Sequence, residues 1–260
     1  MDLAHVLYAV DARVATITVN RPDKLNALND AVMADIGQAF ARAKSDESVR
    51  AVVLTGAGEK AFVAGADIAE LAKQTVLGGK EKSLRGQAVL DSIERLGKPV
   101  IAAINGYAFG GGLELALACH LRYASTTAKI GLPEVGLAII PGYGGTQRLP
   151  RIVGRGRALE LILSGTPIDA ATAERWGLVN GTAEPAELLG KVRGVATTFA
   201  SRGPIALAMA LEAVIRGGSV SQEEGLRIEC DLFGLVSSSE DMRDGLNAFL
   251  EKRKPEYRGR

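Results

Sequence analysis

The sequence has few of the residues that build metal sites, disulfide frameworks or serine triads. Its 260 residues include two cysteines, Cys119 and Cys230, and two histidines, His5 and His120. A zinc site would need almost only carboxylate ligands, which is uncommon, so we expect no metal. The cysteines are far apart, and the amino terminus shows no charged stretch followed by an apolar core. We therefore expect a reducing, cytoplasmic location.

The chain also has little net charge and no long apolar run. Thirty-one basic and 30 acidic residues leave a formal charge of +1, which provides no overall field to attract nucleic acid or an anionic membrane surface. No uninterrupted apolar run reaches the roughly 18 residues needed to span a bilayer. These absences predict a soluble protein without nucleic-acid or membrane partners, and the length and the 47% hydrophobic content suffice for a sizeable core.

Strand and helix patterns mix up to about residue 180, and only helical patterns follow. The first part predicts a hairpin, a helix capped by Asn29, a short helix capped by Asp169, and several short strands, at residues 6–10, 13–20, 51–55, 62–65, 100–104, 121–124, 129–132 and 178–179. Residues 73–83 are polar and contain glycine, which predicts a mobile surface loop. Three helices with apolar stripes are predicted for the tail, at residues 205–215, 222–235 and 242–252, the second of them capped by Ser221. The pattern indicates an α/β core with a helical appendage.

Two glycine-containing corners are predicted to end strands and begin helices. They are Gly65-Ala66-Asp67 and Gly110-Gly111-Gly112. Free N–H groups at a helix start favour a negatively charged oxygen, and glycine lets a partner approach the backbone closely. Either corner alone is more often a plain tight turn. Together they predict two donors for a carbonyl oxygen that gains negative charge.

Two carboxylates accompany these corners. Glu114 lies in the first turn of the helix after the three glycines, where an acidic residue often only complements the helix dipole. Glu134 follows Pro133 among apolar residues, where a carboxylate is costly unless it is used or paired. If both face one cleft, repulsion and desolvation would keep one of them protonated near neutral pH. The pair would then supply an acid and a base.

Other catalytic motifs are weak or missing. Residues 56–61 fit a loose dinucleotide-binding glycine pattern, but that pattern must open a helix, whereas residues 62–65 are strand-like. No Gly-Lys pair is followed by Ser or Thr, so there is no Walker motif, and no serine occupies a Gly-x-Ser-x-Gly turn. NAD binding stays a minor alternative.

Four segments together resemble the enoyl-CoA hydratase (crotonase) family, at residues 61–68, 105–114, 132–134 and 141–149. The resemblance covers nearly the whole chain. It implies an α/β spiral of strand-strand-helix units over residues 1–195 and an all-helical trimerisation region over residues 196–260. A homotrimer, or a homohexamer built as a dimer of trimers, is expected.

The resemblance also implies roles for particular residues. The N–H groups of Ala66 and Gly111 would hold the thioester carbonyl of the substrate, and Glu114 and Glu134 would be the two catalytic carboxylates. Isomerases of the family generally keep the second carboxylate without the first. The presence of Glu114 therefore favours a hydratase that adds water to the 2,3 double bond of a trans-2-enoyl-CoA, as in fatty acid metabolism.

The coenzyme A part of the substrate is expected to contact several residues by the same resemblance, namely Lys24, Leu25, Ala27, Ala64, Asp67, Ile68 and, from a neighbouring subunit, Lys252. No cofactor is expected beyond the coenzyme A that enters with the substrate. The alternatives are a double-bond isomerase or another acyl-CoA lyase of the same fold, and a non-enzymatic assembly or RNA-binding module that retains the fold.

Overall fold

The structure is a computed structural model that describes residues 3–260, and its core is formed by two β-sheets. The larger sheet has the order β1-β2-β3-β5-β7-β10 and the smaller one β4-β6-β8-β9. The strands are β1 Val6–Asp11, β2 Val14–Val19, β3 Ala51–Gly56, β4 Ala61–Val63, β5 Val100–Ile104, β6 Tyr107–Phe109, β7 Leu121–Ser125, β8 Lys129–Gly131, β9 Ile168–Asp169 and β10 Gly181–Ala183.

Helices cover both faces of the larger sheet and form the tail. They are α1 Asp30–Ser45, α2 Ile68–Leu71, α3 Val76–Glu94, α4 Gly111–Ala118, α5 Gly145–Val153, α6 Arg155–Ser164, α7 Ala170–Arg175, α8 Pro185–Ala200, α9 Pro204–Gly217, α10 Gln222–Ser237 and α11 Glu240–Leu250. The predicted caps are confirmed: the side chains of Asn29, Asp169 and Ser221 accept from backbone N–H groups at the starts of α1, α7 and α10.

The larger sheet begins with the predicted hairpin and continues as parallel strands. Ala12 and Arg13 turn the chain with φ of 49° and 66° between the paired residues Asp11 and Val14. Strand β2 then pairs with β3, β3 with β5, β5 with β7 and β7 with β10, all in parallel. Val52 and Leu54 pack into the main core, whereas Val53 packs on the side of α8. Burial of both faces explains the continuous apolar runs in these strands.

The two sheets are built from repeated pairs of strands. The first strand of each pair (β3, β5, β7) lies in the larger sheet, and the second (β4, β6, β8) lies in the smaller sheet, where the three are also parallel. A helix follows each pair. Because parallel strands point their carboxyl ends the same way, the segments that leave β4, β6 and β8 emerge at one edge of the smaller sheet.

Several predicted elements differ from the structure. The prediction of a loop at residues 73–83 is wrong from residue 76 onwards, because α3 begins at Val76. Thr75 caps this helix, and its hydroxyl accepts from Gly78 N. Lys80 and Glu81 are exposed on this helix, whereas Lys82 is buried and paired with Asp30 at 3.2 Å and Glu70 at 2.7 Å. Buried ionic residues are rare enough that a polar stretch usually indicates a loop.

Three strand predictions also need correction. Strand β6 was not predicted, because glycines flank its three residues. The strands predicted as a pair at 121–124 and 129–132 exist, but they do not pair with each other because they belong to different sheets. The last strand lies at Gly181–Ala183 rather than at 178–179, where the chain bends. The apolar pair Leu178 and Val179 is buried in the core without belonging to a strand.

The helical tail begins after the helix that packs on the sheet. Helix α8 buries Leu188, Val192, Ala196 and Ala200 against the larger sheet, so it continues past the predicted boundary between residues 195 and 196. Helices α9 to α11 follow at the predicted places, and α9 and α10 pack on each other. No residue of α9 is fully buried within one chain.

No single helix in the described part of the chain is long and apolar enough to cross a membrane. By length and composition alone, α8 and α9 together pass that test, although they are bent by 107° relative to each other.

Candidate active site

The segments that leave β4, β6 and β8 surround a cavity of about 830 Å³. Ala66 follows β4, Gly111 and Glu114 follow β6, and Glu134 follows β8, and all four line the cavity. The structure therefore brings together the four residues that the sequence analysis singled out for chemistry.

The N–H of Ala66 is directed away from the segment that contains Leu28. Leu28 and Ala66 form an isolated parallel bridge, in which Leu28 N donates to Gly65 O at 2.8 Å and Asp67 N donates to Leu28 O at 2.7 Å. Successive residues of an extended segment point their polar groups to opposite sides. The bonds of Gly65 and Asp67 to Leu28 therefore leave the Ala66 N–H on the other side of the segment.

The amino end of α4 supplies the second donor. Gly110 precedes the helix with a φ of 51°, and no side chain caps it. In the first backbone hydrogen bond of the helix, Glu114 N donates to Gly110 O at 3.0 Å. The N–H groups of the first turn, including that of Gly111, have no partner within the helix and carry its partial positive charge.

Gly112 allows α4 to approach β4 closely. A Cβ built on Gly112 would lie 2.0 Å from the carbonyl oxygen of Val63. Helix α4 therefore rests directly on the backbone of β4, three residues before Ala66. Only glycine allows two backbones to approach this closely.

Glu114 is buried and held by backbone donors. Its side chain is 2% exposed, and Oε1 accepts from Tyr143 N and from Gly145 N, each at 2.7 Å. The pKa of Glu114 is raised from 4.5 to about 7, mainly by burial and in part by the negative charge of Glu134. The two backbone donors and Arg148 act in the opposite direction.

Glu134 lies in the 3₁₀ turn Pro133–Leu137, directly after β8. It is 9% exposed, and its Oε2 has no hydrogen-bond partner among the described residues. Gly110 makes room for it, since a Cβ at that position would lie 3.0 Å from Glu134 Oε1. Burial raises the pKa of Glu134 as well. A buried carboxyl oxygen without a donor favours the protonated form of the group.

The cavity places two carboxyl groups beside two backbone N–H groups. Burial of two carboxyl groups in one cavity opposes their joint ionisation near neutral pH. Two outward N–H groups on different elements can stabilise a carbonyl oxygen as it becomes negative. The cavity can therefore activate a water molecule beside a polarised carbonyl group.

The residues expected to contact coenzyme A lie in several places. Ala64 and Ile68 line the cavity, and Ile68 is 54% exposed. Lys24 ends the 3₁₀ turn Pro22–Lys24, and Leu25 and Ala27 follow it. The carbonyl of Leu25 accepts from Ala64 N at 3.0 Å. This turn is therefore attached to the cavity wall.

The other two predicted contacts are placed differently. The carboxylate of Asp67 caps α2 by accepting from Ala69 N and lies 3.8 Å from Arg21. Lys252 follows α11 and is not part of the cavity lining of its own chain. Both assignments stay predictions.

The sequence analysis missed the residues that hold Glu114. Tyr143 and Gly145 belong to a segment that had been attributed to the family pattern without a role. The available signal was the pair Gly144-Gly145 before a helix. Gly144 has a φ of 107°, a conformation that glycine adopts without strain.

Comparisons with known proteins agree on one family. The model of the family described as "Enoyl-CoA hydratase/isomerase" matches residues 9–260. The chain is 44% identical over 256 residues to a short-chain-enoyl-CoA hydratase of Clostridium acetobutylicum, with 98% of each chain covered. It is 42% identical over 257 residues to a crotonyl-CoA hydratase of Syntrophomonas wolfei, with 99% of each covered.

Solved structures agree with the fold. The crystal structure of an enoyl-CoA hydratase from Bacillus anthracis superposes with a TM-score of 0.95 at 41% identity, covering 98% of this chain and 100% of that chain. A Geobacillus kaustophilus structure described as an enoyl-CoA hydratase subunit gives 0.93 at 41% identity, with 99% of each chain covered. The predicted spiral fold and the predicted resemblance are confirmed.

The raised pKa of Glu114 predicts that stability depends on pH. Between pH 4.5 and about 7 the folded protein keeps this proton while the unfolded chain loses it, so the free energy of unfolding falls as the pH rises. At pH 7 the loss from this group is about 3 kcal/mol. The variant Glu114→Gln does not show this loss, because glutamine does not titrate. In urea unfolding from pH 4 to 8, the free energy of unfolding of the variant should increase relative to that of the wild type between pH 4.5 and about 7. A difference that is constant with pH would contradict the raised pKa.

The contact between α4 and β4 predicts a position-specific effect of one methyl group. Gly112→Ala should lower the free energy of unfolding by about 1–3 kcal/mol, because the Cβ meets backbone that must move. Gly190→Ala is the matched control, since it lies on an exposed part of α8 with nothing within 4 Å of the added Cβ. It should be stabilising by about 0.5 kcal/mol. Equal effects of the two changes in urea unfolding would exclude a tight contact at Gly112.

Proposed function

The chain belongs to the enoyl-CoA hydratase/isomerase family, and we propose that it hydrates trans-2-enoyl-CoA thioesters reversibly to 3-hydroxyacyl-CoA in the cavity that contains Glu114 and Glu134. The enzyme is thus an enoyl-CoA hydratase, a hydro-lyase. The observation that supports this site best is the pair of buried carboxyl groups in one cavity, one of which has an oxygen without a protein partner.

The thioester carbonyl oxygen is bound by the N–H groups of Ala66 and Gly111. Both donors come from backbone that is fixed by packing, so no reorganisation is needed when the oxygen becomes an enolate. Removal of one such donor typically costs a hundred- to a thousandfold in turnover, or about 3–4 kcal/mol. Polarisation of the carbonyl makes the β-carbon electrophilic.

The two carboxyl groups complete the addition of water. The ionised Glu114 removes a proton from the water as its oxygen forms a bond to the β-carbon, and the π electrons of the double bond move into the thioester enolate. The enolate then collapses, and the α-carbon takes the proton of Glu134. Afterwards Glu114 is neutral and Glu134 is ionised, and exchange with solvent restores both groups.

We assign the roles from hydrogen bonding rather than from the pKa values, because burial raises both pKa values and that of Glu114 reaches about 7. Two amides stabilise negative charge on Glu114, whereas Glu134 Oε2 has no protein donor. A bound acyl chain displaces water from the cavity, which further favours the neutral form of Glu134. Glu114 is therefore the base and Glu134 the acid in our proposal.

The substrate is bound through its coenzyme A part along the turn of Lys24, Leu25 and Ala27 and the segment Ala64 to Ile68. Two of the most similar relatives are named for short-chain and crotonyl substrates, and we propose crotonyl-CoA as a substrate of this enzyme. The coenzyme A of the substrate is the only organic group that the reaction needs, and a cytoplasmic location stays part of the proposal.

The helical tail supports an oligomer. Its three helices leave several large apolar side chains more than half exposed in one chain, namely Val214, Leu226, Phe233, Leu235, Leu246, Phe249 and Leu250. Monomers rarely expose so much apolar surface in one region. We propose that these faces pack against neighbouring subunits in a homotrimer or a dimer of trimers.

Replacement of either carboxylate should abolish most hydration without loss of binding. Glu114→Gln and Glu134→Gln should each lower kcat for crotonyl-CoA by about 100- to 10,000-fold, because general acid or base catalysis is lost. KM should change by less than about threefold, since coenzyme A provides most of the binding. Loss of absorbance of the conjugated thioester measures the rate. Glu160→Gln, an exposed residue of α6, is the matched control and should keep full activity.

Other outcomes of this assay would point to the alternatives. Full activity of either variant would contradict the assignment of the carboxylates. Turnover of a 3-enoyl-CoA without hydration of the 2-enoyl-CoA would indicate an isomerase. A thermal-shift assay with acetoacetyl-CoA that shows no stabilisation, together with no turnover, would favour the non-enzymatic alternative.

The oligomer is tested by sedimentation velocity. The wild type should sediment with three or six times the mass of one chain. Phe233→Asp and Phe249→Asp place a charge on the exposed apolar faces of α10 and α11 and should shift the protein towards monomer. Leu7→Asp on strand β1, at a position 54% exposed, is the control and should leave the mass unchanged. A monomeric wild type would refute the proposal.

A further inference from the structure

The N–H groups that hold Glu114 belong to a loop whose carbonyl groups are fixed from the other side. The peptide between Gly142 and Tyr143 directs its N–H to Glu114, and its carbonyl accepts from Ser83 Oγ at 2.5 Å and from Gln87 Nε2 at 3.0 Å. In a planar trans peptide the N–H and the C=O point in opposite directions. Fixing the carbonyl oxygen of Gly142 therefore aims the N–H of Tyr143.

The next peptide is held in the same way by a side chain of α5. Arg148 Nη1 donates to Tyr143 O at 3.1 Å. A Cβ at Gly144 would lie 2.4 Å from Arg148 Nη1, so the guanidinium occupies the space next to a glycine that has a φ of 107°. The carbonyl of Gly144 accepts from Arg148 N at 2.8 Å, which orients the Gly145 N–H.

Helix α3 holds the guanidinium in turn. Arg148 Nη2 lies 2.5 Å from Asp91 Oδ1 and 3.0 Å from Glu94 Oε2, and Nε donates to the same Glu94 oxygen at 3.1 Å. The Arg148 side chain is only 12% exposed. Two planar groups joined by several bonds leave little freedom of movement. Helix α3 thus supplies partners for both carbonyls, directly and through Arg148.

We propose that Ser83, Gln87 and Arg148 are positioning residues for hydration. Ser83 and Gln87 fix the Gly142 carbonyl and so aim the Tyr143 N–H at Glu114, while the Arg148 side chain fixes the peptide between Tyr143 and Gly144, which joins the two donor residues. This inference rests on the proposed role of Glu114 as the base. None of the three side chains needs to touch the reacting atoms for this role.

The consequence concerns the ionisation of Glu114. Hydrogen bonds to a carboxylate favour its charged form, so amides that turn away raise the pKa of Glu114. The charged or titratable groups that face Glu114 are Glu134, Tyr143 and Arg148. On α3, Asp91 and Glu94 are bound to Arg148, and Lys82 is bound to Glu70 and Asp30.

Two variants that keep the net charge separate geometry from electrostatics. Gln87→Met removes the amide donor at similar length, and Arg148→Lys keeps the positive charge but loses the planar fork. Each should move the acid limb of kcat/KM for crotonyl-CoA upwards by about one pH unit, which lowers activity at pH 7 about fivefold. The deficit relative to the wild type should shrink as the pH rises, with KM changed less than twofold.

Matched controls are available on neighbouring surfaces. Arg151→Lys lies on the same helix as Arg148, and Gln38→Met lies on the exposed side of α1. Both should leave the pH profile unchanged. Two variants from different elements keep the test valid if one of them folds poorly.

A measurement without substrate separates this inference from the proposed reaction. Glu114→Gln is introduced into the wild type and into each of the two variants, and the free energy of unfolding is measured with and without it. The difference between the two values changes with rising pH and becomes constant above the pKa of Glu114. The constant range should begin near pH 7 in the wild type and about one pH unit higher in Gln87→Met and Arg148→Lys.

Profiles that superimpose on the wild type would overturn the proposal. So would a loss of activity that is the same at every pH, which would indicate a structural role, or a change in KM alone, which would indicate contact with substrate. If Arg148→Lys kept the wild-type profile while Arg148→Gln shifted it, charge rather than positioning would be responsible. A wild type without hydratase activity would refute the proposed function while the unfolding measurement still decides this inference.

Discussion

The burial of two carboxyl groups in one cavity is the constraint on which the rest of the site depends. A carboxylate removed from water is unstable unless hydrogen bonds or an opposite charge compensate for lost solvation. Here the compensation is unequal, since Glu114 accepts two backbone N–H groups while Glu134 Oε2 accepts none within residues 3–260. Unequal environments give chemically similar groups different tasks, which is the general way in which carboxyl pairs separate acid from base.

The fold supplies this inequality through the alignment of three short parallel strands. β4, β6 and β8 deliver an outward N–H, a helix start and a carboxylate to one edge of the smaller sheet. Gly112 and Gly110 allow the approach, the first against the Val63 carbonyl and the second against the Glu134 carboxylate. Side chains at these two positions would push apart the groups that must act on the same substrate. The site is therefore fixed by backbone contacts more than by side-chain packing.

The sequence predicted those parts of the molecule that depend on local chemistry. Alternating apolar residues predicted the hairpin, caps such as Asn29 and Ser221 predicted helix starts, and the two glycine corners with Glu114 and Glu134 predicted the four residues that now line one cavity. It did not predict the two-sheet arrangement from residues alone. Strand neighbours such as β4 and β6 are more than forty residues apart, and their pairing depends on the whole chain.

The main failure of local reasoning falls on the element that supports the loop around Glu114, the proposed base. Residues 73–83 looked like a loop because most of them are polar or glycine, yet residues 76–83 form the start of α3. That helix buries Lys82 in an ion pair and presents Ser83 and Gln87 to the loop around Glu114. Polar residues that serve an interior network give the same pattern as a solvated loop, so a sequence pattern is least informative where polar side chains support chemistry.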